Sequence, residues 1–225
     1  AAMSGACVVL TIVKMDYSFT GVILGILFGL AAGVMAGIAH GAIVSNFNVP
    51  PFLITLASQN IIYGIAQLLT GNQVISCLEP AAFTFLGGGR LFGIPFSVCI
   101  LVIVALISFW LLNRTTFGRQ VYAVGGNKEA SNLSGVSSRR ITTVSYAISG
   151  FTAALAGIVL ASMNQQAIAK AAQGYENDVL TAIVVGGTSL MGGEGSLQGA
   201  MFGALLVGMI NNGSVGGTIN VSQCC

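Results

Sequence analysis

Three polar side chains recur on one face of the otherwise apolar segment 52–70. Asn60, Tyr63 and Gln67 are spaced i, i+3, i+7, so on a helix they lie on the same side. Their amide and hydroxyl groups can hydrogen-bond a polar solute or a neighbouring helix, whereas lipid would leave them unsatisfied. The row therefore predicts either contacts between helices or the lining of a wet path, and the residues alone do not distinguish the two.

A glycine-rich stretch, GGTSLMGGEGS, covers residues 186–196. A phosphate-binding loop of the G-x-x-x-x-G-K-[ST] type needs a lysine that this stretch lacks, so a P-loop is excluded. The stretch interrupts the apolar run 179–212, which is the pattern of a discontinuous helix whose break is buried in protein or lines a cavity. We expect Gly186, Gly187 and Thr188 to lie on a translocation path. An ordinary short turn between two helices is the alternative.

No other set of residues has a spacing suited to catalysis or metal binding. The cysteines and the single histidine, His40, show no metal-ligand spacing, and no nucleophile–base arrangement is present in the sequence. We therefore expect no catalytic residue, no metal site and no cofactor.

The composition places these residues in a membrane. Hydrophobic residues make up 55% of the chain, charged residues 6%, and the mean hydropathy is +0.89, far outside the range of a water-soluble domain. Four apolar runs are long enough to cross about 30 Å of hydrocarbon as helices: 21–43, 52–70, 95–113 and 141–162. The sequence predicts an all-α, polytopic transmembrane helical bundle with a broken helix near the C-terminus.

The four runs contain no Asp, Glu, Lys or Arg. Transporters coupled to protons or ions usually place such groups in the membrane, so the energy for any transport has to come from elsewhere.

Basic residues indicate the orientation of the bundle. Five of the eight Lys and Arg residues lie in the loop 114–140, and basic loops stay in the cytoplasm during insertion. Counting helices outward from this loop places 71–94, 163–178 and 14–20 outside and 44–51 inside.

Within that loop the sequence predicts a short helix at 128–134. Asn127 is a favourable N-cap, Glu129 lies in the first turn where the helix dipole favours an anion, and Gly135 can adopt the left-handed conformation that ends a helix. A helix about 10 Å long is unstable by itself, so another surface has to pack on it.

Ala130, Leu133 and Val136 give this predicted helix a small apolar face near the tip of the loop. Either a cytoplasmic partner covers the face, or the loop is an ordinary connection that lies on the membrane surface.

Glycines recur every fourth residue from Gly21 to Gly41. Small residues at this spacing let helix backbones approach closely in membranes. Because the stripe drifts about 40° at each step, we expect it to contact more than one neighbouring helix.

Several segments match one known family in its order: NVPPFLITLASQNIIYGIAQLLTGNQVI, FGIPFSV, GRQVYAVGGNKEASNLSGV, ISGFTAALAGIV and YENDVLTAIVVGGTSLMGGEGSLQGAMFGALLVGMINNG. The chain resembles, over most of 20–213, the membrane permease subunit of bacterial ABC importers for monosaccharides, the ribose/xylose/arabinose type. The resemblance implies that FGRQVYAVGGNKEASNLSGV contains the coupling helix, which docks into a groove of the cytoplasmic ATPase. The implied coupling residues are Asn127, Glu129, Ala130, Leu133 and Gly135.

The resemblance also implies partners and a location. A monosaccharide would cross the bacterial cytoplasmic (inner) membrane with the help of a second permease subunit, an ATPase that hydrolyses ATP as a separate subunit, and an outer substrate-binding protein. Membrane lipid would surround the chain, and nucleic acid would have no role. The alternatives are an ATP-independent facilitator or secondary transporter, and a branched-chain amino-acid type ABC permease.

We expect residues 1–225 to form a single transmembrane permease domain with 114–140 as its cytoplasmic coupling loop. We expect residues 1–13 to be the end of a helix whose start is missing. At the other end, the segment SVGGTINVSQCC occupies the place where the family has its last helix. The outer-loop carboxylates Glu176 and Asp178 are candidates for docking the binding protein, although most charged loop residues are simply solvated.

Overall fold

The computed structural model describes residues 19–47, 51–70, 75–76, 81–91, 93–167, 174–189 and 192–222. The predicted partial helix at 1–13 lies outside this part of the chain. In chain order the elements are α1 (Phe19–Phe47), α2 (Pro51–Thr70), β1 (Ile75–Ser76), α3 (Ala81–Gly88), β2 (Arg90–Leu91), β3 (Ile94–Pro95), α4 (Phe96–Arg114), α5 (Thr116–Gly126), α6 (Lys128–Leu133), α7 (Ser138–Asn164), β4 (Gln166–Ala167), α8 (Tyr175–Val185) and α9 (Leu197–Ser222).

Helices dominate the described residues, which confirms the all-α prediction. The strands are two residues long each; β1 pairs antiparallel with β4, and β2 pairs antiparallel with β3. Both pairs lie in connections between helices and add no sheet layer.

Three helices in the described part of the chain are long and apolar enough to cross a membrane: Thr20–Asn46, Phe96–Arg114 and Ser138–Asn164. They match three of the four predicted spans. The fourth predicted span, 52–70, forms α2, a helix of 20 residues that includes the apolar stretch Leu53–Leu68.

By its internal contacts the chain divides into two compact units. The first comprises Ala1–Trp110 and Ser137–Gln173, and the second comprises Leu111–Val136 and Gly174–Cys225. The second unit therefore contains the polar loop as far as Val136 together with the glycine-rich stretch, which is far from it in sequence. The single permease domain stays a prediction.

In the first unit, α1 packs along α7 through its glycine stripe. A Cβ on Gly41 would lie 2.7 Å from Thr143 Cα, and a Cβ on Gly33 would lie 2.7 Å from the Gly150 carbonyl oxygen. The predicted close packing is confirmed at these positions. Both glycines face α7. The two backbones come close because α7 also presents small residues to α1, including Gly150 and Ala154.

The buried core of the first unit lies where α3 meets α1 and α7. Its apolar members are Val22, Phe83, Ile158 and Ala161. The Ser162 hydroxyl donates to the Phe83 carbonyl oxygen, so a buried polar group on α7 is satisfied by the backbone of α3. This bond and the apolar cluster fix α3 against α7.

We expect Gly33→Leu to prevent α1 from packing on α7. A large side chain would have to displace the α7 backbone, and overpacking of this kind costs on the order of 1–3 kcal/mol or more. The measurement is the amount and elution profile of detergent-extracted protein on size-exclusion chromatography. Gly64→Leu on α2 is the matched control, since no atom lies within 4 Å of a Cβ placed there. Normal accumulation of both variants would contradict the packing of α1 on α7.

Candidate functional site

The polar loop between α4 and α7 contains the predicted short helix as α6, Lys128–Leu133, one residue shorter than predicted. The Ala130 N–H donates to Asn127 Oδ1 at 2.9 Å, and Gly135 has φ +83°. Glu129 lies in the first turn. The predicted N-cap, acidic first turn and left-handed final residue are therefore confirmed.

Two of the three residues of the apolar face of α6, Ala130 and Leu133, are exposed, and Val136 is half-buried. Leu133 is 91% exposed, the largest fraction for any large hydrophobic residue among those the structure describes. Ala130 is exposed as well, while Ser131 on another side of the helix is buried. A leucine in this position gains about 1.5–3 kcal/mol when a partner removes it from water.

A second helix in the same loop, α5, was not predicted from the sequence. Thr115 is its N-cap, and the Asn127 N–H donates to the Ala123 carbonyl oxygen at 3.0 Å, so Asn127 ends α5 and also begins α6. The available signal was a threonine cap followed by apolar residues at i and i+4, Phe117 and Val121. Glycines near both ends of the segment obscured it.

The glycine-rich stretch connects α8 and α9, which form an antiparallel hairpin. The backbone of Gly186 contacts that of Gly199, and the Ala182 carbonyl oxygen contacts Gly203. The apolar run is interrupted as predicted, but the chain reverses direction there, so this part of the chain has a turn between two antiparallel helices, the alternative reading, and the predicted broken helix is wrong. With 11 residues, α8 is about 16 Å long, roughly half of a hydrocarbon layer.

We define the tip of this hairpin as residues 186–189 and 192–196. The tip contains Gly186, Gly187 and Thr188, the three residues of the glycine-rich stretch that were predicted to lie on a translocation path. Their role in such a path stays a prediction. The Ser189 N–H donates to the Glu194 carbonyl oxygen at 3.0 Å, so the tip is held closed by its own backbone.

The tip packs against the last turn of α5. The Tyr122 hydroxyl donates to the Gly195 carbonyl oxygen at 3.1 Å. A Cβ on Gly125 would lie 2.7 Å from the Gly193 nitrogen, so the two backbones touch. Sequence reasoning missed this contact because its two sides are about 70 residues apart and glycine pairs have no periodic signal.

The polar row on α2 forms hydrogen bonds within its own helix. Gln67 Nε2 donates to Tyr63 Oη at 3.0 Å, and the exposed Asn60 amide donates to the Leu56 carbonyl oxygen at 3.3 Å. The role of these three residues in a path stays a prediction.

A cavity of about 240 Å³ lies between α1, α2 and α7 in the first unit. Its polar lining comprises His40, Thr55, Tyr146 and Ser149, and the rest of the lining is mostly glycine and alanine. The His40 ring is within hydrogen-bonding distance of Ser58 on α2. Sequence reasoning gave His40 no role, since a lone histidine has no motif.

The two carboxylates predicted to dock the binding protein lie in the first turn of α8, and Asp178 links α8 to α9. Glu176 accepts from the Gly174 N–H at 3.0 Å, and Asp178 accepts from the Asn211 side chain at 3.2 Å. Both carboxylates are half-buried. Their role in docking a binding protein stays a prediction. Among the described residues, no group of three or more His, Cys, Asp or Glu side chains could hold a metal ion.

Long apolar helices, a polar loop with a capped and exposed helix, and a glycine-tipped hairpin define a polytopic helical membrane protein. Residues 1–222 match the family described as branched-chain amino acid transport system / permease component, and the chain belongs to this family. Its members are membrane subunits that are not themselves catalytic, and the chain is a multi-pass protein of the cytoplasmic membrane.

Curated relatives confirm the resemblance to permeases of sugar importers. The ribose import permease protein RbsC of Haemophilus influenzae is 39% identical over 175 residues, which cover 76% of this chain and 54% of the relative. The probable ABC transporter permease protein YphD of Escherichia coli is 39% identical over 169 residues, 75% of this chain and 51% of the relative. The L-arabinose transport system permease protein AraH of Escherichia coli is 35% identical over 173 residues, 77% of this chain and 52% of the relative.

The chain spans about half the length of these curated relatives. No solved structure matches it significantly.

Proposed function

We propose that the chain is the permease subunit of an ATP-driven, binding-protein-dependent importer that carries a monosaccharide across the cytoplasmic membrane. Its partners in this proposal are a cytoplasmic ATPase, a second permease subunit and an outer substrate-binding protein. Relatives named for ribose and arabinose transport support the sugar, and the family description supports transport.

The observation that carries the proposal is the exposed apolar face of α6. A helix of six residues cannot be stable by intrinsic propensity, yet α6 is capped at both ends and presents Leu133 outward. In the cytoplasm such a face needs a protein partner. The groove of an ATPase subunit fits it, with Ala130 and Leu133 entering the groove and Glu129 at the start of the helix.

A separate ATPase also agrees with the charge distribution. The predicted spans contain no Asp, Glu, Lys or Arg, so they lack the charged residues with which proton- or ion-coupled transporters usually work. Hydrolysis of ATP by a separate subunit would supply the energy, and the permease would respond by a change of conformation.

The test is co-expression of the full chain with the other products of its operon, followed by purification through a tag on this chain. We expect an ATPase to co-purify, and uptake of radiolabelled ribose, arabinose or xylose to require it. Uptake that continues when the ATPase is deleted would contradict the proposal and support a facilitator.

The second candidate is a branched-chain amino-acid permease, which the family description favours. Radiolabelled leucine in the same uptake assay distinguishes it from a sugar permease. Uptake of leucine without uptake of any of the three sugars would replace the substrate class and keep the mechanism.

Orientation gives a further prediction. We expect Ser137→Cys to be protected from an impermeant maleimide added to intact cells and Gln165→Cys to be labelled, in a background without other cysteines. Both positions are exposed, so side of the membrane alone decides labelling. Labelling of Ser137→Cys without labelling of Gln165→Cys would reverse the proposed topology.

A further inference from the structure

The contact between α5 and the hairpin tip consists of backbone on backbone. Gly125 and Gly126 form the last turn of α5, and Gly192 and Gly193 lie opposite them with φ +92° and +79°. A Cβ on Gly192 would lie 2.9 Å from the Gly125 carbonyl oxygen, and one on Gly193 would lie 2.7 Å from Gly126 Cα. Any side chain at these tip positions would separate the two elements.

Tyr122 adds a directional bond to this contact. It lies one turn before Gly125 on the same face of α5, and its hydroxyl donates to the Gly195 carbonyl oxygen. The bond and the glycine contact join two different points of the tip, Gly195 and Gly193, to one helix face. Sliding of the tip along α5 would break one or both of them.

Helix α5 is fixed at its other end as well. The Thr115 hydroxyl donates to the Leu111 carbonyl oxygen at 2.6 Å, and a Cβ on Gly118 would lie 2.7 Å from Leu112 Cα. Asn127 then joins α5 directly to α6 by capping both helices. Helices α6 and α5 and the tip are therefore connected in one continuous series of backbone contacts.

We propose that this contact transmits movement of α6 to the α8–α9 hairpin, with Tyr122 and Gly125 as positioning residues. The inference rests on the proposed function, in which an ATPase moves α6. It adds the identity of the element that receives the movement, which is the hairpin tip.

The experiment follows the tip directly and needs no knowledge of the substrate. Thr188→Cys, in the full chain without other cysteines and in complex with its ATPase, is labelled by a maleimide with and without ATP plus vanadate. Thr188 is half-buried in the tip beside Gly195, so its labelling rate reports changes there. We expect nucleotide to change this rate about fivefold or more, the lower end of ordinary allosteric coupling.

Two variants remove the contact and one matched variant spares it. Gly125→Ala places a methyl group 2.7 Å from the Gly193 nitrogen, whereas on Gly126 the nearest atom would be 3.9 Å away, an ordinary contact. Tyr122→Phe keeps the ring and removes only the hydroxyl. We expect Gly125→Ala and Tyr122→Phe to lose most of the nucleotide-dependent change, and Gly126→Ala to keep it, with the ATPase bound in all three.

Three other results would contradict the inference. An ATPase-bound complex in which nucleotide does not alter Thr188→Cys labelling, or alters it equally in all variants, overturns the inference and leaves the proposed function intact. Equal loss in Gly126→Ala would show that the specific contact is irrelevant. If the unaltered chain binds no ATPase, the proposed function fails together with the inference. If Gly125→Ala does not accumulate, Tyr122→Phe decides the question.

Discussion

Leu133→Asp is expected to weaken association with the ATPase strongly while leaving the chain in the membrane. The side chain is 91% exposed, so the folded chain makes little use of it and the substitution has no core to disturb. In the proposed groove, the aspartate would replace a buried apolar contact with an unpaired charge. We expect affinity for the ATPase to fall by about thirtyfold or more, as for a central interface residue worth roughly 2 kcal/mol.

The measurement is co-purification of the ATPase, with ATP hydrolysis in reconstituted vesicles as a second readout. Asn132→Asp is the matched control, because it adds the same charge to an exposed neighbouring position and keeps the leucine. Wild-type association of Leu133→Asp would make α6 a surface loop and favour the facilitator.

Gly135 provides a companion test of the same helix. Its φ of +83° is disfavoured for a β-branched residue by roughly 1–2 kcal/mol, although a Cβ there would meet no atom within 4 Å. We expect Gly135→Val to weaken ATPase binding through the backbone alone. Gly135→Asn should retain more binding, because asparagine tolerates the left-handed region better.

Gly203→Val is expected to have the second large effect, loss of the α8–α9 hairpin. The backbone of α9 at Gly203 contacts the Ala182 carbonyl oxygen on α8, and a Cβ there would also lie 2.9 Å from the Gly186 nitrogen. Because the obstacle is backbone rather than a flexible side chain, relaxation is limited and the cost is at least about 1–3 kcal/mol. The measurement is the amount of folded protein in detergent and its resistance to added protease.

Gly208→Val on the same helix is the matched control. Both substitutions have the same effect on helix propensity, and a Cβ on Gly208 meets no atom within 4 Å. Equal protease resistance in the two variants would contradict the close approach of α8 and α9.

The sequence predicted the features that depend on local chemistry. The ends of α6 follow from Asn127 and Gly135, because an N-cap and a left-handed residue act on the turn beside them. The long apolar helices follow from length and composition. The packing of α1 was predicted because glycines at every fourth residue form one stripe.

Features that join distant parts of the chain were not predicted. The contact of Gly125 with Gly193 has no signal, since glycine is equally at home in a loop and at a close approach. The cavity that includes His40 forms only when three helices meet. The polar row on α2 shows a further limit, because polar side chains such as Tyr63 and Gln67 can satisfy each other on one helix.

The short length of α8 has a consequence for the energetics of permeation. A helix about 16 Å long cannot separate the two aqueous phases across the whole hydrocarbon thickness. In the proposed importer, α8 would therefore shield a polar solute from lipid over only about half of the hydrocarbon thickness, and the 26-residue α9 beside it would have to shield the solute over the rest, because contact of hydroxyl groups with hydrocarbon is costly.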